Sequence, residues 1–191
     1  MTRVLWLWVG VSMSEFEFLA VMMSIIFGLA LTHVLSGVMR ALFKREYDQA
    51  RLVWSAFACL IMVLNWWTFF VWSDHEYWSF GIFLALVIWA VGHYVLANTL
   101  YPPGYTDELR FSDIRWRVHS AFVFTVCMDI VVTAIRGDLL KPWFYLPYVG
   151  AFVLISGISI TVRNERFQIV VAWCFLIVML FWSLVVRKFL A

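Results

Sequence analysis

Six polar or ionisable residues stand inside long apolar runs of this chain: Ser24, Thr32 and His33 in the first run, Asn65 in the second, His93 in the third and Asp129 in the fourth. Asp129 carries the sharpest chemistry. A carboxylate in the middle of an apolar helix is costly and faces a bundle interior or water. Thr125 and Thr133 lie one helical turn to either side of it, and Arg136 lies two turns on along the same face. Counted from the same end of their runs, Asp129 and Asn65 sit at similar depth, within ~3 Å along the axis. Two readings follow. An Asn65 to Asp129 hydrogen bond would be a structural fastener, whereas an Asp129 reached by water would bind a cation or relay a proton.

His33 and His93 form a second constellation. Each follows the start of its run by the same number of residues, which at ~1.5 Å per residue puts both ~22 Å deep. Imidazole is a good iron ligand, so two such side chains on neighbouring helices could hold one metal ion or a b-type haem. Gly28, Gly37 and Gly92 would leave room for a flat macrocycle. The plainer reading is a pair of buried histidines, each bonded to a carbonyl or to a hydroxyl such as that of Thr32. There is no CxxCH attachment motif.

The elements that must position these residues follow from composition. Of 191 residues, 64% are hydrophobic and only 14% charged, well below the roughly 25% charged residues of a soluble domain. A bilayer-crossing helix needs ~20 mostly apolar residues, and six such segments are expected: 18–42, 52–72, 78–100, 118–135, 143–162 and 167–186. The expected fold is therefore all-α, a compact bundle of six transmembrane helices in one domain spanning 1–191, with the lipid bilayer as first partner. Seven spans are the alternative, but Leu5 to Val11 is too short to cross. That stretch reads as an interfacial lead-in or an upstream extension, since Met13-Ser14-Glu15 would itself open the first helix well.

Basic residues fall unevenly between the runs. Nine lie in the first, third and fifth connections: Arg40, Lys44, Arg45, Arg51, Arg110, Arg115, Arg117, Arg163 and Arg166. Five lie on the other side: Arg3, Arg136, Lys141, Arg187 and Lys188. Positive charge is retained in the cytoplasm, so both termini are expected outside. The acidic connection from Ser73 to Tyr77, which has no Lys or Arg, agrees with that side being external.

Pro102-Pro103-Gly104 ends the third run. Beyond it, Leu109, Phe111, Ile114 and Trp116 alternate with Arg110, Asp113, Arg115 and Arg117. The segment reads either as a short amphipathic helix at the inner interface or as a solvated loop. Asp107, Glu108 and Asp113 could bind a divalent ion, but beside Arg110 and Arg115 they read rather as a solvated, self-neutralising stretch. Two sets of three spans have the count of an inverted repeat, without a residue-level alignment to support one.

Small residues recur every fourth position along the first run at Ser24, Gly28, Thr32 and Ser36. The stripe reads as a close-packing seam, or as a narrow hydroxyl-lined path. Gly150 and Gly157 suggest a second close contact in the fifth run. Asn98 is placed to cap the third helix. Of the twelve tryptophans, Trp54, Trp72, Trp78, Trp116 and Trp143 fit interfacial belts. Trp66, Trp67, Trp89, Trp173 and Trp182 lie deeper and need acceptors, a pocket or core packing.

Several classes are excluded. Cys59, Cys127 and Cys174 lie in apolar runs and form no disulfide framework or CxxC metal site. A net charge of +2 gives no basis for a nucleic-acid partner. No HExxH, phosphate loop or Ser, His and Asp set appears, and no intramembrane lysine could form a retinal Schiff base. Three functions remain. The first is an oligomeric channel or transporter with a polar path through Ser24, Thr32, His33, Asn65, His93 and Asp129. The second is a non-catalytic subunit that assembles with another membrane protein through its small-residue seams. The third is a redox subunit with haem between His33 and His93.

Overall fold

Most of the helices begin where a side chain supplies an acceptor for their orphaned amides. In the computed structural model, which describes residues 13–44, 48–102 and 110–186, Ser14 and Glu17 form a reciprocal capping box at 2.8 and 3.2 Å and start α1 (Glu15–Lys44). Asp48 starts α2 (Gln49–Phe69) by accepting from the Arg51 amide at 3.2 Å. Its second oxygen accepts from the Phe111 amide at 2.6 Å, so one carboxylate holds the starts of α2 and α4 (Phe111–Ile135) together. Ser79 caps α3 (Phe80–Leu100) and Asn164 caps α6 (Glu165–Phe181). α5 (Tyr145–Thr161) carries Pro147 in its first turn, where a missing amide proton costs little.

The described residues contain helices and no strand. Five helices are long and apolar enough to cross a membrane, counting the turns that extend α2 to Asp74 and α6 to Val185. α5, with 17 residues, is a shorter apolar helix. α4 begins at Phe111 rather than at Val118, because Asp113 closes the first turn by accepting from the Arg110 amide at 3.3 Å. The alternating segment is thus neither a separate interfacial helix nor a loop: Phe111 to Arg117 are the first two turns of α4, and Phe111, Ile114 and Arg115 are buried. Leu5 to Val11, Pro103, Gly104, Asp107, Glu108 and Leu109 lie outside the described residues, as do Arg3, Arg45, Arg187 and Lys188.

The helices run up and down. α1 packs on α2 and α3, α3 on α4, α4 on α5, and α2 on α6. Ring contacts mark one end, where Phe16 at the start of α1 meets Phe69 at the end of α2, and Phe144 before α5 meets Trp182 after α6. The other end gathers the starts of α2, α4 and α6, with an exposed Arg110 to Glu165 ion pair at 3.8 Å.

The helices keep apolar side chains outside as well as inside. Leu29, Phe43, Leu154, Ile158 and Phe181 are all largely exposed, and an apolar shell this continuous is what a helix bundle presents to lipid. The small-residue stripe belongs to that shell. Ser24, Gly28, Thr32 and Ser36 are exposed, with Ser24 meeting the exposed Trp66 of α2, while Leu19, Met23, Phe27, Ala30 and Val34 are buried. A Cβ placed on Gly28, Gly150 or Gly157 would meet nothing within 4 Å among the described residues, so these glycines make no close helix contact there. The close approaches are elsewhere. A Cβ on Gly37 would run into the Tyr101 ring, and one on Gly92 would touch Thr125 at 3.3 Å.

Candidate functional site

A cavity of about 320 Å³ lies between α2, α3, α4, α5 and α6. Its walls bring together Asn65, His93 and Asp129, three of the six polar residues singled out within the apolar runs. Ser24, Thr32 and His33 do not line it, because α1 packs on the far side of α3 and contributes no lining residue. The cavity reaches the end of the bundle that bears the α4–α5 connection, where Arg136, Asp138 and Lys141 form its rim. Gly137, with φ 79°, turns the chain there as only glycine does readily, and the Asp138 amide returns to the Thr133 carbonyl at 3.2 Å. That turn places Asp138 against Arg136 at 2.6 Å.

Towards the other end the cavity stops at a block of rings. Phe57, Phe122, Phe152 and Phe175 come from four different helices, with centroids 4.5 to 6.3 Å apart. Trp54 lies behind them, 5.3 Å from Phe57 and fully buried. It is therefore a core residue rather than part of an interfacial belt. Beyond the rings is a second buried polar layer: His119 meets Gln168 at 3.1 Å, and the Gln168 amide donates to the Ser159 and Val162 carbonyls. Ser156, also buried, has no hydrogen-bond partner among the described residues.

The hydrogen-bond directions inside the cavity can be assigned. His93 Nδ1 lies 2.9 Å from the Trp89 carbonyl, which only accepts, so Nδ1 carries the proton. His93 Nε2 lies 2.7 Å from Asn65 Nδ2, which only donates, so Nε2 accepts. Tyr145 donates its phenolic proton to Asp129 at 2.7 Å, and Thr133 then donates to the Tyr145 oxygen at 3.2 Å. Asn65 thus bonds His93, and Asp129 bonds Tyr145.

The two histidines of the haem reading are not brought together. Phe27 on α1 meets both Trp89 and His93, at 5.8 and 5.1 Å. His33, six residues beyond Phe27 or about 9 Å along the helix, instead donates to the Tyr101 carbonyl past the end of α3 at 2.7 Å. The His93 Nε2 lone pair that iron would need is occupied by Asn65. Equal counting from the ends of apolar runs misplaced His33, since α1 is longer than its run and starts at Glu15.

Other residues also differ from the sequence reading. Asn98 donates to the Tyr94 carbonyl within α3 and does not cap the helix beyond it. Trp66 and Trp67 are more than half exposed, with Trp66 donating to Ser24 at 3.2 Å, whereas Trp72, Trp89 and Trp182 line the cavity. Tyr145 and Tyr148, three residues apart and hence on one face of α5, were not anticipated. Nor were Thr68, Asp138 and Lys141 as lining, or the His119 and Gln168 pair. An amide in an apolar run, as at Gln168, was the available signal.

No protein-family model, curated protein or solved structure matches this chain.

Proposed function

We propose that the chain is an integral membrane protein that takes a small polar solute into a cavity open at one end, as one step in carrying it across the bilayer. The carrying observation is the convergence of Asn65, His93 and Asp129 from three helices on a cavity of about 320 Å³, near the lower limit of small-molecule sites. Intramembrane carboxylates that reach a water-filled space are functional groups by default. The aromatic block favours a carrier over an open channel, because a pore would need a polar path past Phe57, Phe122, Phe152 and Phe175. Arg40, Lys44, Arg51, Arg110, Arg115, Arg117, Arg163 and Arg166 gather at the opposite end from the rim. With that end cytoplasmic, the cavity opens to the outside and both termini lie there.

Uptake of radiolabelled ethylammonium, alanine and glucose into proteoliposomes tests this reading. Protein-containing vesicles should take up at least one solute faster than empty vesicles, and Asp129→Asn should remove the difference while the protein stays monodisperse. Equal uptake of all three with and without protein would overturn it.

A second reading rests on the outward stripe of Ser24, Gly28, Thr32 and Ser36. Such a face suits close helix contact between chains, so a homo-oligomer or a membrane-protein partner would be held there, with the polar cavity acting only as a set of fasteners.

A further inference from the structure

We infer that the cavity selects a small organic ammonium, a protonated amine carried on an apolar body. This rests on the solute-cavity reading and assigns its ligand class. The basis is which hydrogen-bonding atoms the walls leave facing inward. The Thr68 hydroxyl donates to the Asn65 carbonyl at 3.2 Å, Thr125 donates to the Ala121 carbonyl at 2.9 Å, and Thr133 donates to Tyr145. Tyr145 donates to Asp129, and one Asn65 N–H donates to His93. Once these protons are committed, the hydroxyls of Thr68 and Thr125 and the Asn65 Oδ1 offer lone pairs, and the Asp129 carboxylate beside them supplies the charge.

The interior donors that remain are neutral. The Trp89 indole N–H is buried in the wall with no partner among the described residues, and is not open to the cavity. The others in the lining are the second Asn65 N–H, the Tyr148 hydroxyl, which reaches Met179 Sδ at 3.7 Å, and the indole N–H groups of Trp72 and Trp182. The cations sit at the rim, where Arg136 is paired with Asp138 and Lys141 is exposed. An interior that sets a carboxylate among neutral polar groups and keeps its cations at the rim fits a ligand that brings N–H donors and a positive charge.

An alkali cation fits less well. A hard ion needs a close cage of oxygens, whereas this cavity is lined on its other sides by aromatic rings. Tyr148 and Trp182 stack at 4.1 Å with planes 13° apart, and Trp72 and Phe152 also line the cavity. Aromatic faces attract ammonium groups and bury hydrocarbon at the same time.

The test compares three probes that share one ring: benzylammonium, benzyl alcohol and benzoate. Their binding to the purified full-length protein in nanodiscs is followed by tryptophan fluorescence, with Trp72 and Trp182 as reporters. Benzylammonium should bind about tenfold or more tightly than either other probe, a ratio expected for a charge-assisted contact. Asp129→Asn should remove that preference and Asp129→Glu should retain much of it. Equal binding of the three, or preference for benzoate, would overturn the ammonium assignment while leaving a solute cavity in place. Persistence of the preference in folded Asp129→Asn would overturn it too. If no probe binds and Thr68→Cys is also closed to a polar maleimide, the solute-cavity reading itself fails. The comparison on the unaltered protein decides between charge classes even if a variant does not fold.

Discussion

Tyr145 and Asp129 join α5 to α4 at the cavity wall through a hydrogen bond of 2.7 Å from phenol to carboxylate. α5 has 17 residues against 25 in α4, and this contact fixes its start against the longer neighbour. Tyr145→Phe keeps the ring and removes only the donor. Hydrogen bonds to charged groups contribute ~1.5–3 kcal/mol, so the variant should unfold at lower temperature in detergent. An unchanged melting temperature would mean that the bond does not hold α5.

The Asn65 and His93 pair makes a separate prediction. Asn65→Leu leaves the buried Nε2 of His93 without a donor, at a cost of ~1–3 kcal/mol. Adding His93→Phe removes the orphaned atom, so the double variant should lose less stability than the two single losses added. Strict additivity in a double-mutant cycle would show that the two side chains do not interact.

Two glycines of α1 should respond in opposite ways to the same change. Gly37→Ala drives a methyl group into the Tyr101 ring and should cost ~1–3 kcal/mol. Gly28→Ala meets open space and should be neutral or slightly stabilising, since alanine is the better helix former. Thermal melts of the two variants give the comparison. If Gly28→Ala instead lowers the apparent mass of the purified complex, the outward stripe is an interface between chains.

His33 and His93 should not support haem. Protein purified from cells supplied with haem is expected to lack a Soret band, and His33→Ala is expected to leave the visible spectrum unchanged. A band lost in both His33→Ala and His93→Ala would contradict the separate engagement of the two imidazoles.

Apolar runs made the helices legible, because a segment with few charges over ~20 residues has few alternatives to a helix. What they did not reveal was which side of each helix faces inward. α1 is apolar almost all round, so the spacing of Ser24, Gly28, Thr32 and Ser36 defines a face without saying where it points. Phe27 and Val34 are buried in the bundle, whereas the small residues are exposed. Asp129 and Asn65 were easier, since a carboxylate and an amide must find polar surroundings in an apolar helix. Their immediate partners were not readable, because Tyr145 and His93 reach them from other helices and no local spacing encodes such contacts. The rim depended on the turn at Gly137, which sets Arg136 against Asp138 beyond the end of the apolar run.

The central claim is a polar cavity that opens at one end of the bundle and stops at the aromatic block. Its most direct test is cysteine labelling in intact cells and inverted vesicles, with Cys59, Cys127 and Cys174 replaced by serine. Thr68→Cys lines the cavity, and Ser156→Cys lies beyond the rings. A membrane-impermeant maleimide should label Thr68→Cys from the side of the α4–α5 connection only and leave Ser156→Cys unlabelled from that side. Labelling of Ser156→Cys from that same side would reveal a continuous pore, and protection of Thr68→Cys from both sides would show a closed core; either result would contradict the account.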